Sequence, residues 1–314
     1  MKTIKNISLL LLTIIVLASC EKNVIEYNSE STDIAEFQIH YFEPVAPAKN
    51  IFYMYQVKIN DKLVTNSTTP LNSYNALPSG AVGLFFTAPV GEVNIKLYQS
   101  TDTNLVYDKN VTLQSGKQNV VVHDLQKPPI VFDTQFPFIS ERKSYYTDTI
   151  GYVKFYNLLY EAKEKPTSLT LQYQYQYILH PVYTEEDRDN GLIPEGKKVG
   201  DTTGDTKRSD WFNLGKPVAF GETTGWQEVP VKKSSYLAQG SANIYYRILV
   251  TSGGEVGVTM DAEGRLRART TGTNNPMNTY SDYWSLTIGR RSHHFLSGTR
   301  NEAPGSAVRT FWAK

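Results

Sequence analysis

The sequence predicts an all-β protein: two β-sandwich domains in tandem behind a removable leader. Three observations predict this. Short runs of alternating apolar and polar residues recur along most of the chain, and no long helical period appears. Aromatic residues are abundant, with 21 Tyr, 13 Phe and 4 Trp among 314 residues, and aromatic side chains suit a pleated, half-buried surface. A proline-rich stretch near the middle, KPPIVFDTQFPF at 127–138, divides the runs into two series.

The leader is expected over residues 1–19. Lys2 and Lys5 precede an apolar run from Ile7 to Ala18, interrupted by Ser8 and Thr13. A membrane-spanning helix needs roughly 20 apolar residues, so this run is too short to span. A charged start, a short apolar core and small residues at its end describe an export signal. Leu17-Ala18-Ser19-Cys20 resembles the lipobox of bacterial lipoproteins. That resemblance implies cleavage before Cys20 and a covalent lipid on its thiol. One acyl chain binds a membrane only reversibly, so a multiply acylated Cys20 is expected to anchor the chain permanently. Glu21-Lys22-Asn23 partly matches the acidic pattern that marks surface-displayed Bacteroidota lipoproteins. The expected address is the outer membrane, facing outward rather than into the periplasm.

Cys20 is also the single cysteine. With its thiol acylated no intrachain disulfide can form, so stability must come from apolar cores, for which the length is ample. The full chain carries 32 basic and 31 acidic side chains. Losing Lys2 and Lys5 with the leader leaves 30 against 31, a net charge of −1. Such balance gives no electrostatic reason to expect nucleic acid as a partner.

Residues 20–35 are polar and without period, and are expected to form a flexible tether. The first sandwich is placed at 36–126. EFQIHYF (36–42) alternates Phe37, Ile39 and Tyr41 against Gln38 and His40. In FYMYQVKIN (52–60), Tyr53, Tyr55, Val57 and Ile59 share a face, and Asn60-Asp61 reads as a tight turn into KLVT. EVNIKLYQ puts Val93, Ile95 and Leu97 on one side. KNVTL, a turn at Ser115-Gly116, and QNVVVHDL complete the series.

Residues 127–150 are expected to link the domains. The second sandwich is placed at 151–292, followed by a C-terminal segment at 293–314. Its strands are read in GYVKFYNLL (151–159), TSLTLQYQYQYILH (167–180), NIYYRILVTS, EVGVTM, RLRART and YWSLTI, with a hairpin turn at Asp261-Ala262-Glu263-Gly264. The stretch from 184 to 209 is rich in glycine and charge, and reads as an inserted loop.

The halves share pieces. Tyr74-Asn75-Ala76-Leu77-Pro78 parallels Trp226-Gln227-Glu228-Val229-Pro230, and both follow a Pro-aliphatic step, Pro70-Leu71 and Pro217-Val218. GYVKFYN, the aromatic-x-x-aliphatic-Pro step and the strands SGKQNVVVHD and SDYWSLTIG resemble a family of tandem repeats of unknown function in exported Bacteroidota lipoproteins. The first repeat lacks the Arg and Asn of that family's opening strand. The resemblance spans about 36–290 and implies an immunoglobulin-like sandwich for each half. It implies no activity.

No nucleophile elbow, zinc-protease motif or phosphate loop is present, so no catalytic residue is assigned and the chain is expected not to be an enzyme. A glycosidase would need a facing pair of carboxylates, and none stands out. His40 and His123 read as half-exposed strand positions. His293-His294 are adjacent on a strand and point to opposite faces, so no metal is expected. Asp187-Arg188-Asp189-Asn190-Gly191 is one residue short for a calcium loop and carries a cation, and reads as a solvated turn. The candidate ligand-binding residues are Tyr173, Tyr175, Tyr177, Trp226, Tyr280 and Tyr283. The three strand tyrosines alternate with Gln172, Gln174 and Gln176 and could form a platform for sugars. Their register with Leu169, Leu171 and Leu179 assigns that face to the core instead. Two functions follow as expectations: a non-catalytic structural or interaction lipoprotein, or a glycan-binding lipoprotein of a polysaccharide-uptake system. The partners expected are the membrane through the lipid, and a glycan or another surface protein.

Overall fold

The computed structural model describes residues 33–45, 49–65, 68–77, 83–99, 104–137, 150–238, 240–270 and 277–313. The lipobox, Cys20 and most of the expected tether and linker lie outside the described residues. Residues from Asp33 onward form one compact unit.

The fold is all-β, two immunoglobulin-like sandwiches in tandem. The first contains β1 (Ile34–Tyr41), β2 (Tyr53–Ile59), β3 (Lys62–Thr65), β4 (Phe86–Pro89), β5 (Gly91–Gln99), β6 (Asn104–Leu113), β7 (Gly116–Val122) and β8 (Ile130–Asp133). One sheet runs β8-β7-β1, with β4 and Asn75–Ala76 on the far side of β1; the other runs β3-β2-β5-β6. The second contains β9 (Ile150–Ala162), β10 (Thr170–Leu179), β11 (Thr223–Pro230), β12 (Ser241–Ser252), β13 (Ser281–Thr287), β14 (Arg291–Thr299) and β15 (Ala307–Trp312). Its sheets run β15-β14-β9-β11 and β10-β12-β13.

The two halves share a strand order. In each, the opening strand runs parallel to a late strand, β1 to β7 and β9 to β14. Each late strand then pairs antiparallel with the last, β8 or β15. Asn75–Ala76 and β11, which carry the shared sequence motif, both lie antiparallel to the opening strand.

Alternation sets the cores. Phe37, Ile39, Val93, Ile95, Leu97, Val120 and Val122 fill the first; Val153, Phe155, Leu171, Tyr173, Ile244, Ile248, Leu286 and Leu296 fill the second. Asn60 and Asp61 adopt φ of 47° and 63°, the turn whose twist matches a two-residue hairpin. The corner between β14 and β15 requires glycine: Gly298 sits at φ +98°, and a Cβ there would lie 2.1 Å from the Gly305 carbonyl.

A third apolar cluster joins the sandwiches. Phe42, Tyr74, Val121 and Phe132 of the first pack against Tyr156, Leu158, Phe295 and Phe311 of the second. Phe295 stacks on Tyr156 at 4.1 Å and meets Phe42 at 5.0 Å and His40 at 5.2 Å. The β1 and β9 sheets are therefore covered on both faces, and the body is four sheets deep.

This stacking corrects several sequence expectations. His40 and His123 are buried, because the second sandwich covers the face that alternation assigns to water. Ile130–Asp133 is a strand of the first sandwich, not the start of a linker. Residues 293–314 are not a terminal segment: β14 and β15 are integral to the second sandwich. The counterpart of β7 is β14, not the YWSLTIG run. Tyr53 and Tyr55 do not share the core face with Val57; a bulge between Met54 and Gln56 turns Met54 inward instead. EVGVTM is a tight turn, closed by Gly257 N–H donating to the Met260 carbonyl at 2.7 Å. The stretch 184–209 is largely loop, with a short exposed helix α1 (Glu185–Asp189) capped by Thr184 and Asp187, and a two-residue strand, Lys207–Arg208, that pairs with β10.

Candidate binding face

The sequence candidates separate cleanly. Tyr173, Tyr175, Tyr177, Trp226 and Tyr280 are buried. Tyr173 stacks on Tyr246 at 5.0 Å, and its hydroxyl lies 3.2 Å from His294 Nδ1. Tyr177 donates to the Pro230 carbonyl at 2.6 Å, and Tyr280 Oη accepts from Val308 N–H at 2.7 Å. Trp226 Nε1 donates to the Thr134 carbonyl at 3.3 Å, across the joint between sandwiches. The tyrosine row is core whose hydroxyls find partners inside the protein, so these five form no solvent-facing platform. Tyr283 alone of the six stands out, with 62% of its surface exposed.

The other face of the same sheet is the one that meets solvent. Cross-strand register aligns Gln174 with Arg247, Gln176 with Tyr245, Tyr245 with Tyr283, and Asn243 with Ser285. Partners opposite each other in a sheet share a face, so amides, hydroxyls, two arginines and two tyrosines converge there. Arg247 Nε donates to Gln174 Oε1 at 2.8 Å, and Gln174 Nε2 donates to Asn213 Oδ1 at 2.8 Å. The Arg247 guanidinium lies 4.3 Å from the centre of the Trp211 ring and 3.9 Å from Glu263. Partial burial, and then the Arg265 charge, depress the Arg247 pKa. Arg208 stacks over Tyr245 at 4.2 Å, and the Tyr245 and Tyr283 rings lie 6.3 Å apart. Gln176 Nε2 donates to the Ser209 carbonyl at 2.6 Å, while its buried Oε1 finds no donor.

Sequence reasoning missed Trp211, Arg208, Tyr245 and Arg247. The signal was the outward register of NIYYRILV, whose alternate positions Asn243, Tyr245 and Arg247 oppose the core. Trp211 and Arg208 follow the insertion, which folds back so that Lys207–Arg208 and Phe212–Asn213 pair with β10.

The histidine pair splits as expected from strand geometry: His293 faces the first sandwich, 2.8 Å from Tyr156 Oη, and His294 faces the second core. Among the described residues no three His, Cys, Asp or Glu side chains gather as a metal-binding group.

Neither a protein-family model nor a curated protein matches the sequence. Among solved structures, the chain is similar to the Bacillus anthracis TIE protein at 9% identity and a TM-score of 0.23, covering 85% of this chain and 34% of that one. It is also similar to two structures described as putative cell adhesion proteins. The one from Bacteroides uniformis has 9% identity and a TM-score of 0.26 over 91% of this chain and 98% of that one. The one from Bacteroides ovatus has 9% identity and a TM-score of 0.23 over 90% and 97%.

Proposed function

We propose that this chain is a non-catalytic interaction protein, held to the outer membrane by a lipid on Cys20 and displayed at the cell surface. The observation that carries the reading is the solvent face of the β10-β12-β13 sheet. Its polar side chains are fixed by one another, and they surround a tyrosine left open to water. Fixed side chains lose little entropy on binding, and exposed aromatics beside arginine are the residue types that dominate recognition surfaces. The buried joint between sandwiches supports the same reading, since it leaves the outer sheets as the free faces of a stiff body. Glycan binding is the second reading, favoured by the exposed Tyr283 ring among amides and hydroxyls.

On-cell photo-cross-linking tests the interaction reading. A photoreactive residue replaces Ser285 in the full chain, and adducts are compared with and without Arg247→Ala and Tyr283→Ala. Protease shaving checks that display is equal. Adducts that disappear with the two substitutions support the reading. Adducts that never form, or that ignore both substitutions, refute it.

A further inference from the structure

We propose that the solvent face of the β10-β12-β13 sheet binds an acidic polysaccharide, with the Tyr283 ring stacking on a sugar and Arg208 pairing with its carboxylate. This deepens the interaction reading above and rests on it.

Charge selects the ligand class. The arginines nearest this face differ in how their charge is met. Arg265 pairs with Asp261 at 2.7 Å, and Arg247 has Glu263 nearby and Gln174 as acceptor. Arg208 is exposed and makes no ion pair among the described residues; its one partner is the Tyr245 ring. Its guanidinium lies over that ring and its N–H groups have no acceptor among the described residues, so they are open to a carboxylate, which a guanidinium grips through two parallel bonds. An anion is therefore the missing partner.

The polar groups of the face suit a sugar: Gln174, Asn243, Ser281 and Ser285 stand on the aligned strands beside the rings. Such groups match sugar hydroxyls, each of which both donates and accepts. Tyr283 supplies a flat apolar surface for the C–H face of a sugar ring. The separations of 4.2 and 6.3 Å put the Arg208 guanidinium no further than 10.5 Å from the Tyr283 ring. One short stretch of an acidic glycan can therefore engage both.

The test uses the full chain in detergent and polygalacturonate, with its methyl-esterified form as the neutral counterpart. Titration calorimetry is run on wild type, Arg208→Gln, Tyr283→Ala and Tyr283→Phe. Lys62→Gln, an exposed change on the first sandwich, serves as the charge control. Alginate, hyaluronan and chondroitin sulfate extend the acidic panel, and poly-glutamate reports charge alone. The expected result is binding to at least one acidic polysaccharide. R208Q and Y283A each weaken it at least tenfold, whereas Y283F and K62Q leave it intact. For polygalacturonate, esterification weakens it to the same degree. Four results overturn the proposal: no binding to any acidic polysaccharide, binding unchanged in R208Q and Y283A, equal binding to the ester, or equal binding to poly-glutamate. If all polysaccharides fail while the on-cell adducts still depend on Tyr283, the glycan assignment falls and the interaction reading stands. If the adducts fail as well, both fall.

Discussion

Phe42→Ala tests whether the two sandwiches act as one folding unit. Phe42 belongs to the first sandwich by sequence, following β1, yet its ring packs on Phe295 at 5.0 Å and Phe311 at 5.9 Å in the second. The side chain is fully buried. Burying a phenylalanine stabilises by about 1.5–3 kcal/mol, and aromatic pairs add about 0.5–1.5 kcal/mol each. With the cavity included, Phe→Ala costs roughly 3–5 kcal/mol. At roughly 2 °C per kcal/mol for a chain of this size, the midpoint falls by about 6–10 °C. The tryptophans make the experiment selective. All four, Trp211, Trp226, Trp284 and Trp312, lie in the second sandwich. Their fluorescence reports that half, while far-UV circular dichroism reports both. In wild type the two melting curves should coincide, the signature of a single cooperative unit. In F42A the fluorescence midpoint should fall although the substitution lies in the other half. A fluorescence midpoint that stays put while the dichroism shifts would refute the coupling and the packed joint with it.

Acid should loosen the fold. Burial holds His40 and His123 down to about 4 and His294 to about 3, against about 6.5 in an unfolded chain. Between those values the unfolded chain binds protons that the folded chain does not, so stability is full above about pH 6.5 and drains away below it. Glu43, pushed up to about 7 by burial, acts in the opposite sense: the fold takes its proton first, adding stability as pH falls from 7 towards 4.5. His293 is likewise held well below its ordinary value by burial, so four histidines against one carboxyl leave a loss of roughly 3–4 kcal/mol per pH unit near pH 5.5. Urea titrations at pH 7 and 5 measure this, and a flat profile would contradict it. Glu161→Gln should cost about 3–5 kcal/mol, because it strands a buried Arg300 whose Nη2 lies 2.7 Å from Glu161 Oε2. Arg300 also donates to the Val258 carbonyl at 3.3 Å, so hydrogen exchange should rise through 255–260; unchanged protection would show that the network does not hold that turn. Cys20→Ala should move the chain from the membrane fraction to the soluble fraction and abolish acyl labelling, and persistence in the membrane would sink the anchor.

The sequence was readable where a strand has one wet face. EVNIKLYQ and NIYYRILV alternate because solvent meets every second residue, so core and surface could be assigned by parity. The same parity separated the tyrosines of QYQYQY from its glutamines. It failed where both faces are dry. RSHHFLSGT shows no alternation because the first sandwich takes one face and the second core the other, and nothing local to the strand records a covering sheet. His40 and His123 were misplaced for this reason. IVFD was hidden by its prolines, which precede the strand rather than interrupt it. Tyr283 was legible as a candidate, but Arg208, Trp211 and Arg247 were not. They meet only through cross-strand register and the return of the insertion, and neither is written in any single run.

The repeated strand order gives the molecule two outer sheets built on the same plan, and they have been finished differently. On the first, most polar groups are paired. Asn94 Nδ2 reaches Asp108 and Asn110 at 2.8 Å each, Lys96 pairs with Asp61 at 2.7 Å, and Lys58 lies over the Tyr98 ring, while Asn94 Oδ1 is buried without a donor. At the paired groups a ligand gains little, because each new bond must first break an old one. On the second, the ladder through Arg247, Gln174 and Asn213 is closed, but beside it Arg208 has a ring and no anion among the described residues, and Tyr283 has no cover. The inner sheets differ again, since their outward faces are consumed by the joint. Of the four sandwich sheets, then, the β10-β12-β13 sheet combines rigid support with an exposed tyrosine and an arginine that meets no anion among the described residues. That asymmetry between two copies of one architecture is the physical reason to look for the partner on the second sandwich.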